Sequence, residues 1–201
     1  KDTYANISMT TVKEKSQKLA VMLQNIKDLD AADMREHKHL FKHLIFSDVR
    51  EGGCGAKLIM SVLQGQGYTH MLSVAPSTTK NGNDRGMRLV TTRAAGANRV
   101  ALLSSTAVFG KTFTPVVKKE QLDIFNERPA NVHGKYARFI VLDSGFKEGV
   151  DVFDIKYVHL FEDPFTVADE KQAVGRGTRT CGQSGLPFTP RVGWPLHVYV
   201  Y

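Results

Sequence analysis

Apolar positions recur along this chain in two rhythms. Leu19, Met22, Leu23, Ile26 and Leu29 fall at helical spacing, so a helix is predicted over residues 11–29, with Thr11 and Glu14 placed to cap it. A polar stretch runs from Asp30 to Lys42. Then His43-Leu-Ile-Phe-Ser47 reads as a short buried strand, and Asp48 to Gly55 as the glycine-bearing loop after it. Ala56 to Leu63 follows as a helix closed by Gly65 and Gly67. Tyr68–Ala75 and Arg99–Ser105 read as further strands, and Val116–Arg128 as a helix that packs Val117, Leu122, Ile124 and Phe125 on a sheet. Phe139–Asp143 and Tyr157–Phe161 are two more apolar runs, and Leu196–Tyr201 is a last strand-like run. Runs this short and this apolar are strands buried on both faces. Their alternation with helices predicts an α/β fold with a mainly parallel sheet flanked by helices.

Candidate chemistry sits after two of those strands. Ser144 to Asp151 is a polar loop with glycines at 145 and 149, and loops at the carboxyl ends of parallel strands are where α/β sheets bind ligands. After Tyr157–Phe161 a helix is predicted from Thr166-Val-Ala-Asp169, a capping box just behind Pro164. On it Gln172, Arg176 and Arg179 stand at i, i+4 and i+7, which places all three on one helical face. Gly175 and Gly177 allow close approach of a backbone or a phosphate. Two planar guanidiniums beside an amide suit a polyphosphate. The alternative is a helix whose arginines only complement its C-terminal dipole.

The order strand, Lys147-Glu-Gly-Val-Asp151, strand, Gln172-x-x-Gly-Arg-x-x-Arg179 resembles motifs V and VI of superfamily 2 helicases, which lie in the second of two RecA-like domains. The fuller string, from Asp143 to Asp151 and from Ala173 to Gln183, most resembles helicases of large cytoplasmic DNA viruses. Those include the helicase-like subunit of the poxvirus early transcription factor and its African swine fever virus relatives. A weaker match, as motif IV, covers His43 to Leu63. The resemblance implies a RecA-like core over residues 41–201 behind an N-terminal helical extension, 1–40. It implies ATP and Mg2+ held mainly by a separate N-terminal RecA-like domain. Arg179 would be the arginine finger, Arg176 a second phosphate contact, and Gln172 an orienting group. Gly149 and Gly175 would allow close approach, and Asp151 would bond the ribose or the motif arginines. Ser47, Arg50, Lys57, Ser104, Ser105, Thr106, Ser144 and Lys147 would lie along the nucleic-acid path. The motif V position often held by threonine is Asp143 or Ser144, depending on register. The implied partners are single-stranded or duplex nucleic acid (DNA ahead of RNA), the missing domain and a viral transcription complex. The implied setting is a virion and the host cytoplasm.

Composition changes this picture little. Lys plus Arg number 27 against 20 Asp plus Glu, a net charge of +7, which favours anionic partners. Lys80, Arg85, Arg88, Arg93 and Arg99 lie in or beside the polar stretch 76–98, which reads either as a phosphate-touching basic loop or as a surface insertion. Cys54 and Cys181 are the two cysteines and belong to no C-x-x-C pair, as expected in a reducing, intracellular compartment. His37, His39 and His43 with Cys54 match no standard zinc spacing, so no metal is expected. No apolar run is long enough to cross a bilayer. The chain opens on Lys1 with no signal peptide and is expected to be part of a longer protein.

Three look-alikes bear on the mechanism. Gly110-Lys111-Thr112 ends like a P-loop, but Ser105 stands where its first glycine belongs and Pro115 delays the helix. Glu162-Asp163 ends a strand as a Walker B pair would, with Pro164 directly behind it. Asp169-Glu170 resembles a DExx box but opens a helix. The isolated chain is therefore expected to be inactive. Two other readings stay open: a RecA-like nucleic-acid or transcription-complex binding module without catalysis, and a self-sufficient NTPase using Lys111 and Thr112.

Overall fold

The computed structural model describes residues 7–50, 54–76, 87–96, 98–105, 113–146, 150–163, 166–176, 178 and 181–201. Two helices open it, α1 (Met9–Lys15) and α2 (Gln17–Glu36). Then come β1 (Lys42–Ser47), α3 (Ala56–Gly65), β2 (Thr69–His70), β3 (Leu72–Pro76), β4 (Met87–Thr91), β5 (Arg99–Leu103) and α4 (Pro115–Phe125). β6 (Phe139–Asp143), β7 (Ile155–Leu160), α5 (Val167–Gly175) and β8 (His197–Val200) complete it. The main sheet runs β2-β5-β6-β1-β7-β8, with each neighbouring pair parallel.

Alternation along the strands builds two cores. Ile45, Val100, Leu102, Phe139 and Val141 face one way, against Leu19, Met22, Leu23 and Ile26 of α2 and Ile59, Met60 and Leu63 of α3. Leu44, Ala101, Leu103, Ile140 and Leu142 face the other way, against Phe125 of α4 and Ala173 of α5. The sheet is thus the middle of three layers, and α2 belongs to the same core as the strands.

Several expectations are corrected. The helix predicted over 11–29 is two helices, broken at Ser16, which adopts φ −152° and ψ 97°. The Ser16 hydroxyl accepts the Leu19 N–H, and Ser8, not Thr11, caps α1. α2 also runs on through the polar residues to Glu36, because Asp30 and Asp33 find partners elsewhere in the fold. Arg138 donates both terminal nitrogens to Asp30, at 2.6 and 2.8 Å. Lys156 Nζ and the Tyr157 hydroxyl donate to Asp33 at 2.6 and 2.8 Å.

Tyr68–Ala75 is not one strand. Met71 is buried, donates to the Val100 carbonyl and accepts from Thr92 N–H, which splits the run into β2 and β3. β3 leaves the main sheet and pairs antiparallel with β4, so residues 87–91 of the presumed loop are a strand. The hairpin rests on α4 and the turn behind it, through Thr91 to Glu120 and Arg93 to Glu127. Arg93 and Arg99 therefore have partners within the fold, Arg99 on the Thr92 carbonyl. Lys80 and Arg85 lie outside the described residues, as does the side chain of Arg88.

A buried polar chain locks α2 and the end of β8 to the sheet. Asn25 Nδ2 donates to the Tyr201 hydroxyl (2.7 Å), which is 2.8 Å from His159 Nδ1, while His159 Nε2 is 2.9 Å from His43 Nδ1. His43 Nε2 ends the row 3.4 Å from Asp30 Oδ1, an electrostatic contact rather than an aligned hydrogen bond. The ends fix the sense: an amide nitrogen only donates and a carboxylate only accepts. Tyr201 thus donates to His159, His159 to His43, and both rings are neutral with the proton on Nε2. Burial supports this, pushing His43 down to about 4 against the pull of Asp30, and His159 well below its usual value.

Candidate functional site

Parallel strands bring their carboxyl ends to one edge of the sheet, and there four loops meet. Glu162, two residues past β7, clamps the end of β1. Its Oε1 accepts the Ser47 hydroxyl at 2.9 Å and its Oε2 the Asp48 N–H at 2.8 Å. Ser47 Oγ in turn accepts Val49 N–H. Gly55 brings the start of α3 against this turn, with φ +66° and space so tight that a Cβ would sit 2.2 Å from the Val49 carbonyl oxygen.

The β1 and β6 ends are joined through Ser144 and Arg50. Arg50 Nε donates to Ser144 Oγ at 2.7 Å and Nη2 to the Ser144 carbonyl at 2.8 Å, while Ser144 Oγ donates to the Asp48 carbonyl at 2.9 Å. Asp143 joins β6 to β5. Its Oδ2 accepts Ser104 Oγ (2.9 Å), Ser105 N–H (2.7 Å) and Ser105 Oγ (3.0 Å), and its Oδ1 accepts Gly145 N–H (2.9 Å). Gly145 is required here, since a Cβ would meet that of Ser105 at 2.4 Å. Hydrogen bonds thus tie Ser104 and Ser105 to Asp143, Ser144 to Asp48, and Ser47 and Asp48 to Glu162, with the main chain alone joining Asp143 to Ser144.

Of the expected nucleic-acid residues, this edge gathers Ser47, Arg50, Ser104, Ser105 and Ser144. Two points differ from expectation. Ser104 and Ser105 direct their hydroxyl protons to Asp143, so they shape the loop instead of offering donors to phosphate. Lys57 lies in the first turn of α3, outside the hydrogen bonds just traced. Thr106 and Lys147 fall outside the described residues.

The arginine segment is also arranged differently. α5 ends at Gly175, so the helix carries Gln172 but stops one residue before Arg176. Gln172 is exposed, whereas Arg176 is buried one residue past the helix. The Arg176 carbonyl is captured by Val152 N–H at 3.2 Å, and its own N–H makes a tight turn onto the Ala173 carbonyl. Among the described residues, a methyl at Gly175 would meet nothing within 4 Å, so none of them demands glycine there. Asp151 is exposed nearby in the chain, its carbonyl held by Asn126 Nδ2. Arg179 and Gly149 lie outside the described residues, as do Lys111 and Thr112 of the P-loop look-alike.

Sequence reasoning missed Asp143 and Glu162 as organisers. The available signal was an acid at the end of each buried strand, but nothing local tells a metal ligand from a hydrogen-bond acceptor. Among the described residues no group of three or more His, Cys, Asp or Glu is arranged to hold a metal ion. His39 instead packs its ring 4.0 Å from that of His133, beside His37 and Phe41. Cys54 and Cys181 are free and exposed, and no described helix is long and apolar enough to cross a membrane.

No family model matches this chain. It is 33% identical over 79 residues to a protein of Acanthamoeba polyphaga mimivirus named "Putative ATP-dependent RNA helicase R350"; the match takes in 39% of this chain and 9% of that protein. A second mimivirus protein, "Putative ATP-dependent RNA helicase R563", is 26% identical over 95 residues, 47% of this chain and 16% of its own length. The matches thus span less than a fifth of either curated relative. Among solved structures, the C-terminal part of the Fun30 ATPase domain superposes with a TM-score of 0.52 at 14% identity, over 92% of this chain and 41% of that one. At that identity the likeness shows the fold alone: a mainly parallel, helix-flanked sheet of the helicase C-terminal RecA-like kind.

Proposed function

We propose that this chain is the second RecA-like half of an ATP-dependent superfamily 2 helicase or translocase, with residues 1–40 as a helical extension and 41–201 as the core. The observation that carries the reading is the joined surface at the carboxyl edge of the sheet, followed in the chain by α5 and its arginines. The order of motifs and the mimivirus relatives support it. Nucleic acid runs over the loops built by Arg50, Ser105, Ser144 and Lys147, with Asp143 and Glu162 holding those loops in shape. The relatives' names put RNA beside DNA as a substrate, and their viral source fits a setting in viral transcription or replication.

The donor set fits one side of a bound ATP and not its magnesium. Gln172 is exposed and no described residue fills the space above Gly175, which suits a nucleotide at the domain joint. The carboxylates at the strand ends already hold hydrogen-bond donors, so Mg2+ falls to the other domain. When bound, ATP supplies a γ-phosphoryl group whose developing charge is stabilised by arginine. On this chain, Arg179 would meet that charge, Arg176, buried in this structure, would give a second contact, Gln172 would orient the nucleotide, and Gly149 and Asp151 would border the ribose.

The test is ATP turnover by the longer protein, with single-stranded and duplex DNA and RNA supplied in turn. Turnover stimulated by at least one of them, with none from the 201-residue chain alone, is expected. Equal turnover by the chain alone would overturn the reading in favour of a self-sufficient NTPase.

A further inference from the structure

The segment that begins at Arg176 is held at both of its described ends by one short stretch, Val152 to Asp154, that leads into β7. Val152 N–H donates to the Arg176 carbonyl at 3.2 Å, and Asp154 N–H to the Gly182 carbonyl at 2.7 Å. Around the second bond a side-chain joint is built. Arg128, in the turn after α4, donates Nε to Asp154 Oδ2 at 2.8 Å and Nη2 to Oδ1 at 2.9 Å. The same Nη2 reaches the carbonyls of Cys181 at 3.0 Å and Gly182 at 2.7 Å. Asp154 Oδ1 further accepts Gly185 N–H at 2.9 Å, and a Cβ on Gly185 would crowd that oxygen at 2.7 Å.

The joint is costly to build. Asp154 is fully buried, and both Asp154 (φ +59°) and Cys181 (φ +60°) adopt the left-handed backbone. The carbonyls it captures belong to irregular chain with no strand ladder or helix of its own. Arginine's planar fork specifies the carboxylate and both carbonyls at once, which lysine's point charge does not. Nothing in the strand-end network uses these residues, and nothing in the arginine segment's own sequence sets where its far end lies.

We propose that Arg128 and Asp154 are positioning residues for the arginine segment. They fix the main chain beyond it, as Val152 fixes it before, so that its arginines meet the nucleotide in register. The proposal rests on the helicase reading above, and it names two residues that motif comparison does not reach.

The experiment uses the longer protein, with Asp154→Asn, Arg128→Lys and Arg179→Ala measured side by side. Asparagine tolerates the left-handed backbone, and removes the charge and one of the two acceptor oxygens. Nucleic-acid-stimulated ATP turnover gives kcat and KM, and limited trypsin cleavage after Arg176 or Arg179 reads the segment directly. Asp154→Asn and Arg128→Lys are expected to lower kcat by about 10- to 100-fold, as misplacement near 1 Å does. KM for ATP should stay within about threefold, and cleavage in the segment should quicken relative to other sites. If Arg179→Ala collapses turnover and Asp154→Asn does not, the positioning role is wrong and the helicase reading stands. If Arg179→Ala changes nothing, both fall. Cleavage quickened evenly through the chain would make the pair a mere support of the fold and overturn the proposal. Should one variant fail to fold, the other decides by the same readouts.

Discussion

Acidification should loosen this fold through His43 before any carboxylate is involved. The ring is fully buried, faced by His159 and Tyr157 from β7, by Phe139 and Arg138 from β6 and its lead-in, and by Asp30 from α2. Burial holds its pKa at about 4, against 6.5 in an unfolded chain. The fold therefore binds fewer protons than the unfolded chain between those values. Stability is full above pH 6.5 and falls as pH drops toward 4. The complete loss from His43 alone is about 3 kcal/mol at about 1.4 kcal/mol per pH unit, and roughly 2 kcal/mol of it appears between pH 7 and pH 5. His159 is depressed in the same direction and adds to it. Asp30 is lowered below its ordinary 3.8, so its own contribution is lost only under stronger acid. Burial depresses His70 to about 4 as well, so urea unfolding at pH 7 and pH 5 should show the wild-type midpoint falling by about 1 M from His43 and by more in total. His43→Gln, which keeps a neutral side chain, should show a smaller shift. Equal shifts in the two proteins would refute the assignment to His43, and an unmoved midpoint would refute the buried neutral pair.

Two further outcomes follow from the same physics. Lys42 is fully buried, with Nζ donating to the Phe125 carbonyl, and burial pushes its pKa down to about 7. The fold thus disfavours the charged amine, and Lys42→Met should raise stability by about 1–3 kcal/mol at pH 7 and by less at pH 10, read as Tm; a lower Tm at pH 7 would contradict this. Asp143→Asn cannot serve four donors with one oxygen, and should cost about 1–3 kcal/mol in chemical denaturation while weakening nucleic-acid binding by the longer protein; unchanged stability would show the network to be slack.

The layered fold was legible because its strands are short, apolar and separated by amphipathic helices. Phe139–Asp143 carries its own evidence of burial on both faces. What was lost depends on partners distant in the chain. Asp30 and Asp33 read as the end of a helix, but Arg138, Lys156 and Tyr157 make them part of it. Ser16 broke a helix across an apolar stripe that continues unchanged, and β4 was hidden in polar sequence. The site was legible to the extent that parallel strands must share an edge, which brings Ser47, Ser104 and Ser144 together without further knowledge. The clamps on them were not, since the roles of Asp143 and Glu162 follow from neighbouring strand ends. Periodicity also misplaced Arg176: a helical face presumes a helix, and Val152 captures the chain where the helix stops.

The central claim is that the arginine segment completes an ATP site held by another domain. The most direct measurement compares nucleic-acid-stimulated ATP turnover of the longer protein, wild type against Arg179→Ala, with ATP affinity measured in parallel. The account predicts a fall of at least ~100-fold in turnover with ATP binding retained. Unchanged turnover would contradict it and leave the chain as a RecA-like binding module.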